Sequence, residues 1–268
     1  MNLKSKSTLE KLYQNLSFKN YSDRTIEMYV HYAGIFLDSF NKDVYHISQN
    51  EAIKWLKDFK YSSVSQQNQI ISAIKSLYKF VVGVKMKGFN IERPRKERKL
   101  PQIIDKNHLL NTINSITNIK HKAIIGLAYS VGLRVSEVIN LKITDIDSKR
   151  MIIVIKNGKG NKDRFVPLSV NMLNILRSYY KLHKPKIYLF NGQNELKYTA
   201  SSCNKIVKRY LGENYHFHLL RHSCFTHLHE VGEDIKSIKE LAGHTSIKTT
   251  EIYTHMSVDR LHKLKLAI

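Results

Sequence analysis

The chain has 268 residues, and its 44 Lys and Arg against 22 Asp and Glu give a formal net charge of +22 with His neutral. That excess is larger than solubility requires and points to an anionic polymer or surface as partner, while 42% apolar residues can build a core and exclude a disordered tail. Charges interrupt every apolar stretch short of a membrane span, the two cysteines Cys203 and Cys224 cannot form a disulfide framework, and the scarcity of Pro and Gly favours helix, so the expectation is a helix-rich cytoplasmic protein of one or two domains.

Residues Met1 to Lys6 have no apolar run behind their lysines, so no signal peptide is expected. Residues 22–40 place Ile26, Tyr29, Val30, Ala33, Phe36, Leu37 and Phe40 at the spacing of an amphipathic helix. Ser22 is its expected cap, without the acidic third position of a capping box. A shorter stripe runs through Ala52, Ile53, Trp55, Leu56 and Phe59, and another through Ile70, Ile71, Ile74, Leu77, Tyr78 and Val81. Residues 1–84 are therefore predicted to form a small helical bundle. Residues 85–101 differ in character: Lys85, Lys87, Arg93, Arg95, Lys96, Arg98 and Lys99 face only Glu92 and Glu97, with Gly88, Pro94 and Pro101 as punctuation. This is a basic linker, read either as a solvated tether or as a strap across a phosphate backbone.

From residue 105 the pattern is again helical, through Ile113 and Ile116 and then Ala123, Ile124, Leu127, Ala128 and Val131. Met151–Ile155 and Arg164–Leu168 are short β-like runs, separated by a polar, turn-rich segment, so a hairpin with a long tip is predicted. Helical patterns return at 170–182, 199–211, 216–230 and 234–241, and around 246–252. The predicted fold class is mainly α: an N-terminal helical bundle and, over residues 102–268, a mixed α+β domain with a small antiparallel β-sheet.

Phosphodiester chemistry needs cations for the phosphate oxygens, a proton donor for the leaving group and an activated nucleophile. The second domain offers residues of each type. Arg134 follows Gly132 at a helix junction, and Glu137, three residues on, can orient its guanidinium; an ordinary surface ion pair is the competing reading. His218 and Arg221 share one helix face. His222, four residues from His218, also permits a zinc reading, but no second ligand pair completes a tetrahedron, so no metal is expected. Gly243 ends a helix and presents His244. Lys159 lies between Gly158 and Gly160 at the hairpin tip, either reaching into a groove or simply solvated. Tyr253 gains interest only from this company.

In order, Gly132-Leu-Arg134-Val-Ser-Glu137, Gly158-Lys159-Gly160-Asn-Lys162, His218-Leu-Leu-Arg221-His222, Leu241-Ala-Gly-His244 and Tyr253 resemble the signature of the tyrosine site-specific recombinases, the family of phage integrases and Xer recombinases. The resemblance implies a DNA breaking-rejoining fold, with residues 1–84 as a SAM-like core-binding domain and 102–268 as the catalytic domain. It implies that Arg134 and Arg221 clamp the scissile phosphate, that His218 acts as general base or phosphate donor, and that His244 hydrogen-bonds the same phosphate. Lys159 then protonates the leaving 5′ oxygen, and Tyr253 is the nucleophile that forms a 3′-phosphotyrosyl bond. Glu137 and His222 support these groups. The linker cations and Lys162 are the expected DNA contacts. Double-stranded DNA is the implied partner, with a homo-tetramer on paired sites, no metal, no ATP and no other cofactor. The apolar residues Met256, Leu261, Leu264 and Leu266 suggest a short tail helix that docks on a neighbouring subunit or folds back on its own domain. A type IB-like topoisomerase and a non-catalytic basic DNA-binding protein are the alternatives. The first shares the chemistry; the second explains the charge but not the ordered motifs.

Overall fold

The computed structural model describes residues 3–83, 93–94, 102–156, 163–193, 196–244 and 249–250. The chain divides into two compact units, residues 1–98 and 99–268.

In the first unit, α1 (Leu3–Phe18), α2 (Asp23–Asp38), α3 (Gln49–Asp58) and α4 (Val64–Leu77) form a bundle, with a 3-10 turn at Val44–His46. The stripe of α2 buries Ile26, Ala33, Phe36 and Leu37 against α1 and α4. Phe36 meets Trp55 edge-on at 5.1 Å between ring centroids. α1 was not predicted as a separate helix; its Leu9, Leu12 and Leu16 are core residues spaced for one helical face. Helix starts are locally encoded. Ser48 accepts the Glu51 N–H while the Glu51 carboxylate accepts the Ser48 N–H, a full capping box. Ser22 behaves differently: its hydroxyl pairs with the Thr25 hydroxyl at 2.8 Å and caps no backbone N–H. α4 runs into a π segment, Tyr78–Val82, where the Tyr78 hydroxyl donates to the Ile47 carbonyl at 2.9 Å.

In the second unit the order is α5 (Lys106–Ser115), α6 (Ile119–Ser130), α7 (Val135–Asn140), a 3-10 turn at Ile143–Asp145, β1 (Ile146–Asp147), β2 (Ile152–Ile155), β3 (Arg164–Pro167), α8 (Val170–His183), α9 (Ala200–Leu211), α10 (Phe217–Glu230) and α11 (Ile235–Ala242). α6 is the spine. Ala123, Ile124, Ile125, Leu127 and Ala128 are all buried, because α5, α7, α8, α9 and α10 pack around it. Each fully buried Ile or Leu contributes roughly 1.5–3 kcal/mol of transfer free energy, which fixes α6 as the platform for the site. The sheet is antiparallel in the order β1-β2-β3. The predicted hairpin corresponds to β2 and β3, paired Ile153↔Val166 and Ile155↔Arg164; β1 is too short to carry a periodic signal. Cys203 and Cys224 are buried free thiols, and burial pushes both up to about 12. Among the described residues no helix is long and apolar enough to cross a membrane.

Candidate active site

Arg134 is the N-cap of α7, reached through a turn in which Gly132 has φ +63°. A Cβ at Gly132 would stand 2.4 Å from the buried Phe225 ring, so conformation and space both require glycine there. The Glu137 carboxylate, 5% exposed, accepts the Arg134 backbone N–H at 2.8 Å and its Nη1–H at 2.7 Å. It also accepts two bonds from Arg164, at 2.8 and 2.9 Å. Burial pushes the Glu137 carboxyl up, but the Arg164 hydrogen bonds and charge, together with the Arg134 backbone and charge, outweigh it and hold the pKa at about 2. Two guanidiniums against one carboxylate leave this corner with a net positive charge.

α10 carries the other half. Leu219 and Leu220 are buried, and Arg221 is buried with them, at 1% exposure. Its Nη1 donates to the Gly132 carbonyl and its Nη2 to the Ala242 carbonyl at 2.6 Å. The guanidinium lies 4.7 Å over the Phe225 ring. Ala242 is the last residue of α11 and Gly132 lies just past the end of α6, so the cation meets the negative ends of two helices. Carbonyl dipoles stabilise the buried guanidinium without cancelling its formal charge.

His218 is exposed, and its ring meets that of His222 edge to face at 4.6 Å. Partial desolvation, then the charges of Arg221, His216 and Arg134, hold His218 below the ordinary imidazole value. His222 is lowered further, to about 4, by burial and then by His218, Arg221 and His216. Among the described residues no group of three or more His, Cys, Asp and Glu is arranged to hold a metal ion.

α11 ends at Gly243, φ +60°, which turns the chain to present His244. His244 Nε2 lies 3.1 Å from Arg221 Nη2, and Nδ1 lies 2.9 Å from the Thr250 hydroxyl. A guanidinium can only donate, so Nε2 accepts and the ring proton sits on Nδ1, donating to Thr250. Arg134 Nη2 also donates to the Ala242 carbonyl, at 3.3 Å. Arg134 and Arg221, far apart in sequence, thus share one acceptor atom beside His244.

Arg134, Glu137, Arg221 and His244 are brought into one cluster, with His218 and His222 on the same helix as Arg221. Arg93 is bonded elsewhere: its guanidinium donates to the Asn68 carbonyl and side chain and to the Ser72 hydroxyl on α4. Lys159, Lys162, Tyr253, the remaining linker cations (Lys85, Lys87, Arg95, Lys96, Arg98, Lys99) and the apolar tail lie outside the described residues. At the foot of the hairpin, Lys156 donates to the buried Asp145 carboxylate at 2.7 Å. Two members of the cluster were absent from the predicted set. Thr250, fully buried, has no distinguishing motif. Arg164 does: in Arg164-Phe-Val-Pro-Leu168 the alternation that turns Val166 and Leu168 inward turns Arg164 inward as well.

Two guanidiniums and the His244 imidazole thus converge in a mainly helical unit that follows a helical bundle. The family model described as "Phage integrase family" matches residues 102–260, and that described as "Phage integrase, N-terminal SAM-like domain" matches 8–87. The chain is 33% identical to the tyrosine recombinase XerA of Pyrococcus horikoshii, covering 95% of this chain and 91% of that protein. It is 32% identical to a tyrosine recombinase of Thermosipho africanus, covering 89% and 91%. A crystal structure of XerA recombinase matches with a TM-score of 0.56 at 26% identity, over 98% of this chain and 100% of that one. The post-cleavage complex of XerH with its difH substrate shares the fold, with a TM-score of 0.71 at 23% identity, over 88% and 78%. The chain therefore belongs to the phage integrase family. It is a tyrosine recombinase, an enzyme of site-specific DNA recombination.

Proposed function

We propose that Arg134 and Arg221 hold the two non-bridging oxygens of the scissile DNA phosphate while Tyr253 attacks phosphorus. The observation that carries this reading is the shared acceptor: both guanidiniums donate to the Ala242 carbonyl, at 3.3 and 2.6 Å, so both reach one small group. The phenolic oxygen forms a bond to phosphorus and its proton passes to His218. The bond from phosphorus to the 5′ oxygen breaks, and Lys159 supplies the proton that oxygen takes up. The product is a 3′-phosphotyrosyl ester and a 5′ hydroxyl. A 5′ hydroxyl from a second strand reverses the steps, because the ester conserves the energy of the broken bond. Negative charge grows on the phosphate oxygens in the transition state, and guanidiniums already fixed in place stabilise it without reorganisation. His244 accepts from Arg221 through Nε2, so it donates to a phosphate oxygen only after a second proton reaches that nitrogen and Arg221 turns toward the phosphate. Glu137 and His222 orient the groups that act.

Residues 1–84 and the basic segment 85–101 serve as the DNA clamp in this reading, with Lys162 adding a contact from the hairpin and a homo-tetramer assembling on paired sites. The formal charge of +22 supports a salt-sensitive grip on phosphates. A nicked DNA site that loses its 5′ fragment after cleavage tests the assignment. The wild type is expected to form a covalent protein–DNA adduct and Tyr253→Phe none; adducts from both, or from neither, contradict it.

A further inference from the structure

Arg164 has no part in the scheme above, yet it is among the most connected side chains of the second unit. It opens β3 directly opposite Ile155, on the face that carries Ile153 and Val166, both buried. Strand alternation reserves that position for an apolar residue, and the Arg164 side chain is 11% exposed there. Burial of a guanidinium is costly unless its donors are matched, and each of its three nitrogens donates to a specific partner. Nη1 and Nη2 grip the Glu137 carboxylate fork to fork at 2.8 and 2.9 Å. Nε donates to the Leu241 carbonyl in the last turn of α11 at 3.0 Å. A Cβ at Gly243 would stand 3.1 Å from Arg164 Cδ and 3.3 Å from Nε and Nη1, so the turn that delivers His244 lies directly on this side chain. One residue thereby ties together β3, the start of α7 and the end of α11.

The charge arithmetic gives the tie a consequence. Glu137 alone with Arg134 would form a neutral pair, and its field at a nearby phosphate would largely cancel. With Arg164 occupying both carboxylate oxygens, the carboxylate is satisfied mainly by a cation that faces the interior. Arg134 keeps an unspent charge, with its Nη2 turned toward Ala242 and Arg221.

We infer that Arg164 is a positioning residue: it contacts no DNA, neutralises Glu137 so that Arg134 can act on the phosphate, and fixes the α11 turn so that His244 and the Ala242 carbonyl lie between the two arginines. This rests on the phosphate-clamp reading of Arg134 and Arg221. A lysine cannot replace it fully, because one ammonium cannot hold both carboxylate oxygens and the Leu241 carbonyl together.

The test is single-turnover cleavage of the nicked substrate, with DNA affinity and thermal unfolding measured on the same proteins. Arg164→Gln is expected to slow cleavage about 10²-fold, the size of effect that misplacing reacting groups by about 1 Å produces, while DNA affinity changes less than about threefold. Arg164→Lys should recover part of the rate by restoring charge without the fork. In a Glu137→Gln background the same Arg164→Gln change should cost much less, because the carboxylate it serves is gone. Wild-type cleavage by Arg164→Gln, an equal cost in both backgrounds, or a rate loss matched by lost DNA affinity overturns the inference. Should the Gln variant not fold, Arg164→Lys, which keeps stem and charge, carries the comparison in both backgrounds. Absence of any adduct from the wild type would instead defeat the phosphate-clamp reading itself, a separate outcome.

Discussion

The two arginine settings solve one problem in opposite ways. On the α10 side, Arg221 is buried and held by backbone carbonyls, with an aromatic ring beneath it. On the α7–β3 side, Arg134 is held by a carboxylate that a second arginine also grips. Carbonyl dipoles leave the charge of a cation intact but demand a fixed backbone, which Gly132 and the end of α11 supply. A carboxylate grips more strongly but cancels charge, and Arg164 restores it. The rigid setting is thus vulnerable to backbone change, and the shared-carboxylate setting to pH and to the loss of a partner.

That contrast ranks the expected damage. The largest effect should follow Arg221→Lys, because one ammonium cannot reach both carbonyls. Cleavage should fall by about 10²–10³ while binding of uncleaved DNA weakens far less, which single-turnover rates and binding titrations together would reveal. An equal loss in both would mean that Arg221 only binds. Next comes Gly132→Ala. The forced left-handed backbone and the collision with Phe225 should lower stability by about 2–4 kcal/mol in urea unfolding; a change within about 0.5 kcal/mol would contradict the role of this turn.

The smallest effect lies on the carboxylate side and depends on pH. Glu137 titrates at about 2 in the fold, below the ordinary carboxylate range. Its contribution is therefore complete above about pH 4.5 and is lost as pH falls toward 2. Wild type should exceed Glu137→Gln in stability by about 1–3 kcal/mol at pH 6, since the amide keeps one acceptor oxygen but leaves guanidinium donors unmatched, and this gap should narrow as pH falls from 4.5 toward 2. His222, held at about 4 where a free imidazole titrates near 6.5, removes stability from both proteins alike between those values, so it cancels in the difference. A gap that stays constant with pH would sharpen the comparison against a charged Glu137.

The helices were legible because one-sided burial leaves a periodic stripe, as at Ile26, Ala33, Phe36 and Leu37. α1 escaped notice because its leucines sit among lysines and serines, and β1 because two residues carry no period. Within the site, Arg134, Glu137, Arg221 and His244 were visible as motif residues. Their convergence on Ala242 was not, because a carbonyl has no sequence signature. Arg164 is hidden for a different reason: an arginine at the start of a short strand has the sequence appearance of an exposed edge residue, and only its partners Glu137 and Leu241, distant in sequence, draw it inward. The close packing of Phe225 on Gly132 joins residues distant in sequence, so no local pattern announces it.

The central claim is that guanidinium charge stabilises the phosphate as Tyr253 attacks. Its most direct measurement is cleavage of a site whose scissile phosphate is replaced by an uncharged methylphosphonate, compared between wild type and Arg221→Ala. With the negative charge removed, the wild-type advantage of about 10²–10³ on ordinary DNA should collapse to within about tenfold. An advantage undiminished on the neutral linkage would contradict the account.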